Sequence, residues 1–161
     1  MPFQSVEFSK NQISELSLKW CRVTAAACGD LTGLLITSQS LTEMDLGGND
    51  LGDDGVRWAL CVGLKRPYCK LQKLELESCR VTAAACGDLA AVLTTSQSLT
   101  ELNLAFNSVG DSGARLLCEG LKHPNCKLQK LNLKYVSITE EMRAELDAVK
   151  DRKPDLVIQI R

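Results

Sequence analysis

The run "CRVTAAACGDL" stands at Cys21–Leu31 and again, letter for letter, at Cys79–Leu89, an offset of 79 − 21 = 58 residues. An echo of that length within a chain of 161 residues marks a copied structural unit. Aligning the copies uncovers a shorter period. The pattern Ile13-x-x-Leu16-x-Leu18 recurs at Leu41-x-x-Met44-x-Leu46, Leu71-x-x-Leu74-x-Leu76, Leu99-x-x-Leu102-x-Leu104 and Leu128-x-x-Leu131-x-Leu133. Successive starts lie 28, 30, 28 and 29 residues apart, room for one short strand and one full helix each.

The units alternate in type, which explains the longer echo. After the strand, odd units carry cysteine and Val-Thr (Cys21, Val23, Thr24; Cys79, Val81, Thr82), and even units carry asparagine and a glycine turn (Asn49, Leu51, Gly52; Asn107, Val109, Gly110). An asparagine that turns inward there satisfies backbone groups that the loop would otherwise bury unpaired. Cysteine fills the same slot as a small apolar side chain. The spacing predicts helices over 25–37, 53–65, 83–95, 111–122 and 139–150, with Thr24, Thr82 and Thr139 as N-caps. Pro67 and Pro124 mark returns to the next strand. The stretch from Gly55 to Cys61 holds one residue more than its counterpart from Gly113 to Cys118, so a bulge or a one-residue shift in that helix is expected near Trp58 and Ala59.

A strand on one side and a helix on the other cannot bury their apolar faces alone, so neighbouring units must stack. Strands pack more closely than helices, and the stack therefore curves. The expected fold is a right-handed α/β solenoid, a leucine-rich repeat horseshoe, with a parallel sheet on its concave face and helices on its convex face. Residues 13–138 form the repeats in this reading. Residues 139–161, a polar helix followed by Asp155–Ile160, read as a closing cap helix and edge strand. Residues 1–12 hold only Phe3, Val6 and Phe8 as apolar cover, and three readings stand for them: an irregular lid, a truncation junction, or the remnant of an upstream repeat. An uncovered first repeat would invite self-association.

With 45% apolar and 24% charged residues, the composition is that of a globular chain rather than a disordered one. The 19 basic and 20 acidic side chains nearly cancel, leaving no basic footprint for nucleic acid and no polybasic anchor for lipid. No stretch combines a basic head with an apolar core, and none approaches the roughly 18 apolar residues of a membrane span. The expected location is the cytoplasm, and the eight cysteines are expected to be reduced and mostly buried.

An enzyme needs a constellation, and none is legible. His123 is the only histidine, beside Pro124 in a polar return, with no nucleophile at motif spacing. The cysteine pairs Cys21/Cys28, Cys61/Cys69, Cys79/Cys86 and Cys118/Cys126 lie 7 or 8 residues apart, which is poor zinc-site spacing. The acidic turn from Asn49 to Gly55 lacks the closing bidentate glutamate of a calcium loop. No catalytic residue, metal or cofactor is expected.

What remains is surface. Side chains between the leucines point away from the core, because strand side chains alternate. They are Glu15, Ser17 and Lys19; Glu43, Asp45 and Gly47; Lys73, Glu75 and Glu77; Glu101, Asn103 and Ala105; Lys130, Asn132 and Lys134. Six acids face four lysines there, and the acids concentrate in the middle, which favours a basic partner. Trp20, Ser78, Phe106 and Tyr135 follow at the rim, where aromatics make typical anchors for protein partners.

The alternating units and returns such as Leu116–Leu133, "LLCEGLKHPNCKLQKLNL", resemble the ribonuclease-inhibitor class of leucine-rich repeats over residues 13–161. The closing "ITEEMRAELDAVKDRKPDLVI" (Ile138–Ile158) is similar to the terminal cap of that class. The class occurs in cytosolic ribonuclease inhibitors and in the C-terminal repeats of NLRP-type innate immune receptors. The resemblance implies a non-enzymatic interaction module: the repeat segment of such a receptor, serving ligand sensing, autoinhibition or partner docking. Two alternatives stand beside it, a ribonuclease-inhibitor-like binder of a basic enzyme and a repeat excerpt or design without a native partner. Five strands make only a short arc, and the chain has no G-x-x-x-x-G-K-[ST] loop for nucleotide, so either family reading makes it part of a longer architecture.

Overall fold

The computed structural model of the chain describes residues 13–161. The expectations for residues 1–12 lie outside the described residues. Six short strands, β1 (Glu15–Ser17), β2 (Glu43–Asp45), β3 (Lys73–Glu75), β4 (Glu101–Asn103), β5 (Lys130–Asn132) and β6 (Val157–Gln159), form one parallel sheet in chain order. The register steps by whole repeats: Leu16, Met44, Leu74, Leu102, Leu131 and Ile158 are aligned neighbours along a single core row. Helices α1 (Cys28–Thr37), α2 (residues 52–64), α3 (Ala83–Thr95), α4 (Gly110–Lys122) and α5 (Glu140–Arg152) return the chain on the other side, giving an open α/β solenoid.

The leucines meet between the layers. Leu46, Leu76, Leu104 and Leu133 from the strand side and Leu60, Leu89, Leu117 and Leu146 from the helices are almost wholly buried in one continuous cluster. Burying each is worth about 1.5–3 kcal/mol, a term that no single repeat collects without its neighbours. The thiols of Cys61 and Cys86 lie in the same layer. Burial pushes both up to about 12, which keeps them protonated and unreactive.

Polar stitches join each repeat to the one before it. Asn49, nearly sealed from solvent, accepts at Oδ1 from the backbone N–H of Cys21 (3.1 Å) and Val23 (2.8 Å) and donates from Nδ2 to the carbonyls of Leu18 (2.9 Å) and Leu46 (2.7 Å). Asn107 repeats the arrangement with the N–H of Cys79 and Val81 and the carbonyls of Leu76 and Leu104. The inward asparagines expected from the sequence are therefore in place. In the odd unit, Cys79 adds a bond the sequence did not suggest: its buried Sγ donates to the Leu46 carbonyl at 3.1 Å.

The extra residue counted between Gly55 and Cys61 is absorbed as expected. A π-helical turn over Gly55–Leu60 interrupts α2, with ordinary α turns before and after it. Helix α3 starts and stops where the spacing placed it. Helix α4 begins one residue early at Gly110, which takes the left-handed φ of 63° that glycine tolerates at the turn, and α5 runs on to Arg152.

Two expectations need correction. Thr24 stands at an N-cap position, but its side chain makes no capping bond and the first turn, Ala25–Ala27, is a 3-10 turn. Cys21 is exposed, unlike its buried counterpart Cys79, because no described repeat precedes it to supply a carbonyl and close over the thiol. Thr82 and Thr139 do cap their helices, accepting from the N–H of Ala84 and Met142. Each is further clasped by an aspartate of the preceding repeat. Asp53 accepts from the Thr82 N–H (2.7 Å) and hydroxyl (2.5 Å), and Asp111 accepts from the same groups of Thr139 (2.9 and 2.7 Å).

Candidate protein-binding face

The parallel register sorts the predicted site residues into rows that cross the sheet. Glu15, Glu43, Lys73, Glu101 and Lys130 form one row, and Ser17, Asp45, Glu75, Asn103 and Asn132 the next. All ten are exposed or half-buried and face away from the leucine core. Past the strands the backbone ladder continues, Trp20 N–H to Gly47, Gly48 to Glu77, Ser78 to Ala105 and Phe106 to Lys134. Two further rows are thereby aligned. Lys19, Gly47, Glu77, Ala105 and Lys134 make the third, in which Gly47 and Ala105 are buried, and Trp20, Gly48, Ser78, Phe106 and Tyr135 make the fourth.

Charge on this face is only partly neutralised internally. Lys73 Nζ lies 3.6 Å from Glu75 Oε1 and 3.9 Å from Glu101 Oε2, and Asn103 Nδ2 donates to Glu75 Oε2 at 2.6 Å. At the other end, hydrogen bonding with Glu15 pushes the Glu43 carboxyl above its ordinary range, reinforced by desolvation and by repulsion from Glu15; Lys73 opposes the shift. Two carboxyls paired across adjacent strands hold a proton more readily than either alone. Side chains also shape the loops that leave the strands: Asp45, Asn103 and Asn132 each accept from the N–H two residues on, at 2.9 Å.

The fourth row is built on strained backbone. Trp20, Gly48, Ser78, Phe106 and Tyr135 all adopt left-handed φ, between 54° and 75°. Only Gly48 takes that conformation without cost; a side chain there costs roughly 1–2 kcal/mol. Gly48 also has a second reason to be glycine. A Cβ at this position would fall 2.2–2.5 Å from Cδ2 of Trp20 and the two ring carbons bonded to it, Cε3 and Cε2, so the face of the indole covers the glycine. Phe106 and Tyr135 stack on each other with centroids 4.3 Å apart and planes 17° from parallel. Even so, Trp20, Phe106 and Tyr135 remain 67%, 52% and 69% exposed. The sequence located the three aromatics but not their backbone geometry or their packing. The repeated signal, one rim position per unit, is visible only once the register is known.

Elsewhere, no helix among the described residues is long and apolar enough to cross a membrane, and no group of His, Cys, Asp and Glu is placed to hold a metal. On the helical side, Trp58 projects from the π-helical turn with the Arg57 guanidinium 5.1 Å from its ring centroid, while Arg57 Nε donates to Asp88 Oδ2 at 2.8 Å.

Comparison with known proteins agrees with this architecture. The family model described as leucine-rich repeat matches residues 37–57 and 95–118. Human NACHT, LRR and PYD domains-containing protein 12 is 52% identical over 128 residues, 80% of this chain and 12% of that protein. Human NACHT, LRR and PYD domains-containing protein 3 is 41% identical over 146 residues, covering 91% and 14%. Mouse ribonuclease inhibitor is 47% identical over 136 residues, 84% of this chain and 30% of the inhibitor. The chain thus spans about an eighth of the length of the first two and less than a third of the third. Among solved structures, one titled "Leiomodin-1 Actin-Binding Site 2 (ABS2)" superposes with a TM-score of 0.74 at 19% identity, over 96% of this chain and 88% of that one, a likeness of fold. The alternating repeats and these matches make the chain a leucine-rich repeat segment, similar over most of its length to parts of the NACHT, LRR and PYD domains-containing proteins and of ribonuclease inhibitor.

Proposed function

We propose that the chain is a non-enzymatic protein-interaction module, the leucine-rich repeat segment of an NLRP-type cytoplasmic receptor, and that it docks a protein partner on its concave sheet face. The observation that carries this reading is the rim row. Four of its five positions keep a side chain on left-handed backbone, and three of those are largely exposed aromatics that the core does not need. In this reading residues 13–138 supply the face, residues 139–161 close the stack, and ligand sensing, autoinhibition or docking are uses of the same surface.

The test is capture of partners from cytosolic extract by the wild-type chain and by a Trp20→Ala, Glu75→Lys, Glu77→Lys triple variant whose fold is checked by circular dichroism. A partner retained by the first and lost by the second supports the face. Retention by both moves the binding surface elsewhere.

A second reading has its own support. The acidic centre of the sheet and the similarity to mouse ribonuclease inhibitor suit a binder of a basic enzyme. Inhibition of a basic ribonuclease that falls steeply with added salt would favour it over receptor docking. Self-association through the first repeat is read from sedimentation as concentration is raised.

A further inference from the structure

The rim row is not uniform. The indole of Trp20 fills the place of the missing side chain at Gly48, and the Phe106–Tyr135 pair fills the fourth and fifth places. The third place, between these aromatic blocks, holds only the small Ser78. From the second to the fourth repeat is about 10 Å at the usual strand spacing, so a planar group fits in the notch. Tyr135 stacks on one face of the Phe106 ring from the fifth place; the row order puts the opposite face on the side of the third place, and Phe106 stays 52% exposed. Beside the notch stands Glu77, half-buried, whose carboxylate has no side-chain partner among the described residues.

We propose that this notch is a seat for an arginine side chain of a protein partner, its guanidinium stacked on the open face of Phe106 and paired with Glu77. The inference rests on the docking face proposed above and names the chemistry the face selects. An open aromatic face attracts a cation through the ring quadrupole, and an unpaired carboxylate beside it attracts the same charge. Guanidinium answers both at once because it is flat enough to stack while its N–H fork donates in its own plane; a lysine ammonium offers a point charge without a stacking plane. The molecule already contains this arrangement on its helical side, where Arg57 lies over Trp58 and bonds Asp88. At the rim the ring and the carboxylate are present and the cation is left for a partner.

The test is a nuclear magnetic resonance titration of the isotope-labelled full chain with N-acetyl-arginine amide, with the citrulline and lysine analogues in parallel. Saturable shifts at the Ser78 and Phe106 amides and the Trp20 indole N–H are expected with the arginine probe. Citrulline, equal in shape but uncharged, is expected to bind roughly fivefold more weakly, and Glu77→Gln to cost a similar factor. Ser78→Tyr, which fills the notch with a residue type that the same backbone already carries at Tyr135, is expected to abolish the shifts while leaving the rest of the spectrum in place. Equal binding of citrulline, or shifts untouched by both variants, would overturn the seat. Shifts confined to the Glu15 and Glu43 row would also overturn it while leaving the sheet face as a binding surface. If no probe produces a saturable shift anywhere, the seat fails, and the capture experiment with the triple variant judges the face separately.

Discussion

The two copies of CRVTAAACGDL are identical in sequence and different in structure. In the second copy, Cys79 is buried and bonded to Leu46, Thr82 caps its helix under the clasp of Asp53, and α3 runs unbroken from Ala83. In the first copy, Cys21 is exposed, Thr24 caps nothing, and a 3-10 turn precedes the α-helix at Cys28. Eleven residues cannot carry that difference themselves. It comes from the preceding repeat, which gives the second copy an acceptor for its thiol and a carboxylate for its threonine.

The comparison is sharpest where most bonds converge. Replacing Asn107 by alanine strands the buried N–H groups of Cys79 and Val81 and two carbonyls, at roughly 3 kcal/mol or more in urea unfolding. Asn49→Ala, whose bonds to the first copy are only partly buried, is expected to lose less. Equal losses would break the claim that the copies differ in how much rests on their neighbours.

Cysteine comes next. Cys79→Ala opens a cavity and is expected to cost about 1 kcal/mol or somewhat more, against a change within ~0.5 kcal/mol for Cys21→Ala. Thiol labelling of the native chain checks the same contrast: Cys21 is expected to react first, while Cys79, which burial pushes up to about 11, waits for unfolding. Rapid native labelling of Cys79 would contradict the closed second copy.

A smaller effect is expected at the caps. Thr82→Ala is predicted to lose about 1 kcal/mol and Thr24→Ala nothing beyond ~0.5 kcal/mol. The Asp111–Thr139 clasp gives a gentler, pH-dependent version. Bonds from the Thr139 hydroxyl and N–H hold the Asp111 carboxyl below its ordinary value, so folding releases a proton there. The stability from this clasp is complete above the ordinary aspartate range and is lost as the pH falls through it to the lower folded value. Asp111→Asn is expected to flatten that acid limb slightly in pH-dependent melting curves, and an unchanged limb would count against the clasp.

Much of the fold was legible because leucine spacing speaks through burial, and burial is a strong, non-directional force. The core rows, the inward asparagines and the π-helical turn could all be found by counting residues. The clasps of Asp53 and Asp111 could not, since an aspartate in a helix's first turn reads equally well as a partner for its own helix dipole. The rim followed the same division. Trp20, Phe106 and Tyr135 were identifiable by their offset from the strand, whereas the indole over Gly48, the stacked pair and the small place at Ser78 depend on which repeats lie side by side.

The stitches between repeats also set the step by which such a chain can lengthen. Asparagine in an even unit ties down the loop of an odd one, and the odd unit's cysteine and threonine reach back to an even one. Removing one unit would set two of a kind together, with an asparagine facing a glycine turn that offers it the wrong loop. Joining Trp20 directly to Cys79 removes a whole pair and keeps odd and even units alternating, with the loop of the first unit again tied down by an asparagine, Asn107. Growth and loss by 58 residues at a time are therefore the moves this architecture accepts, and the repeated eleven letters are spaced by that same step.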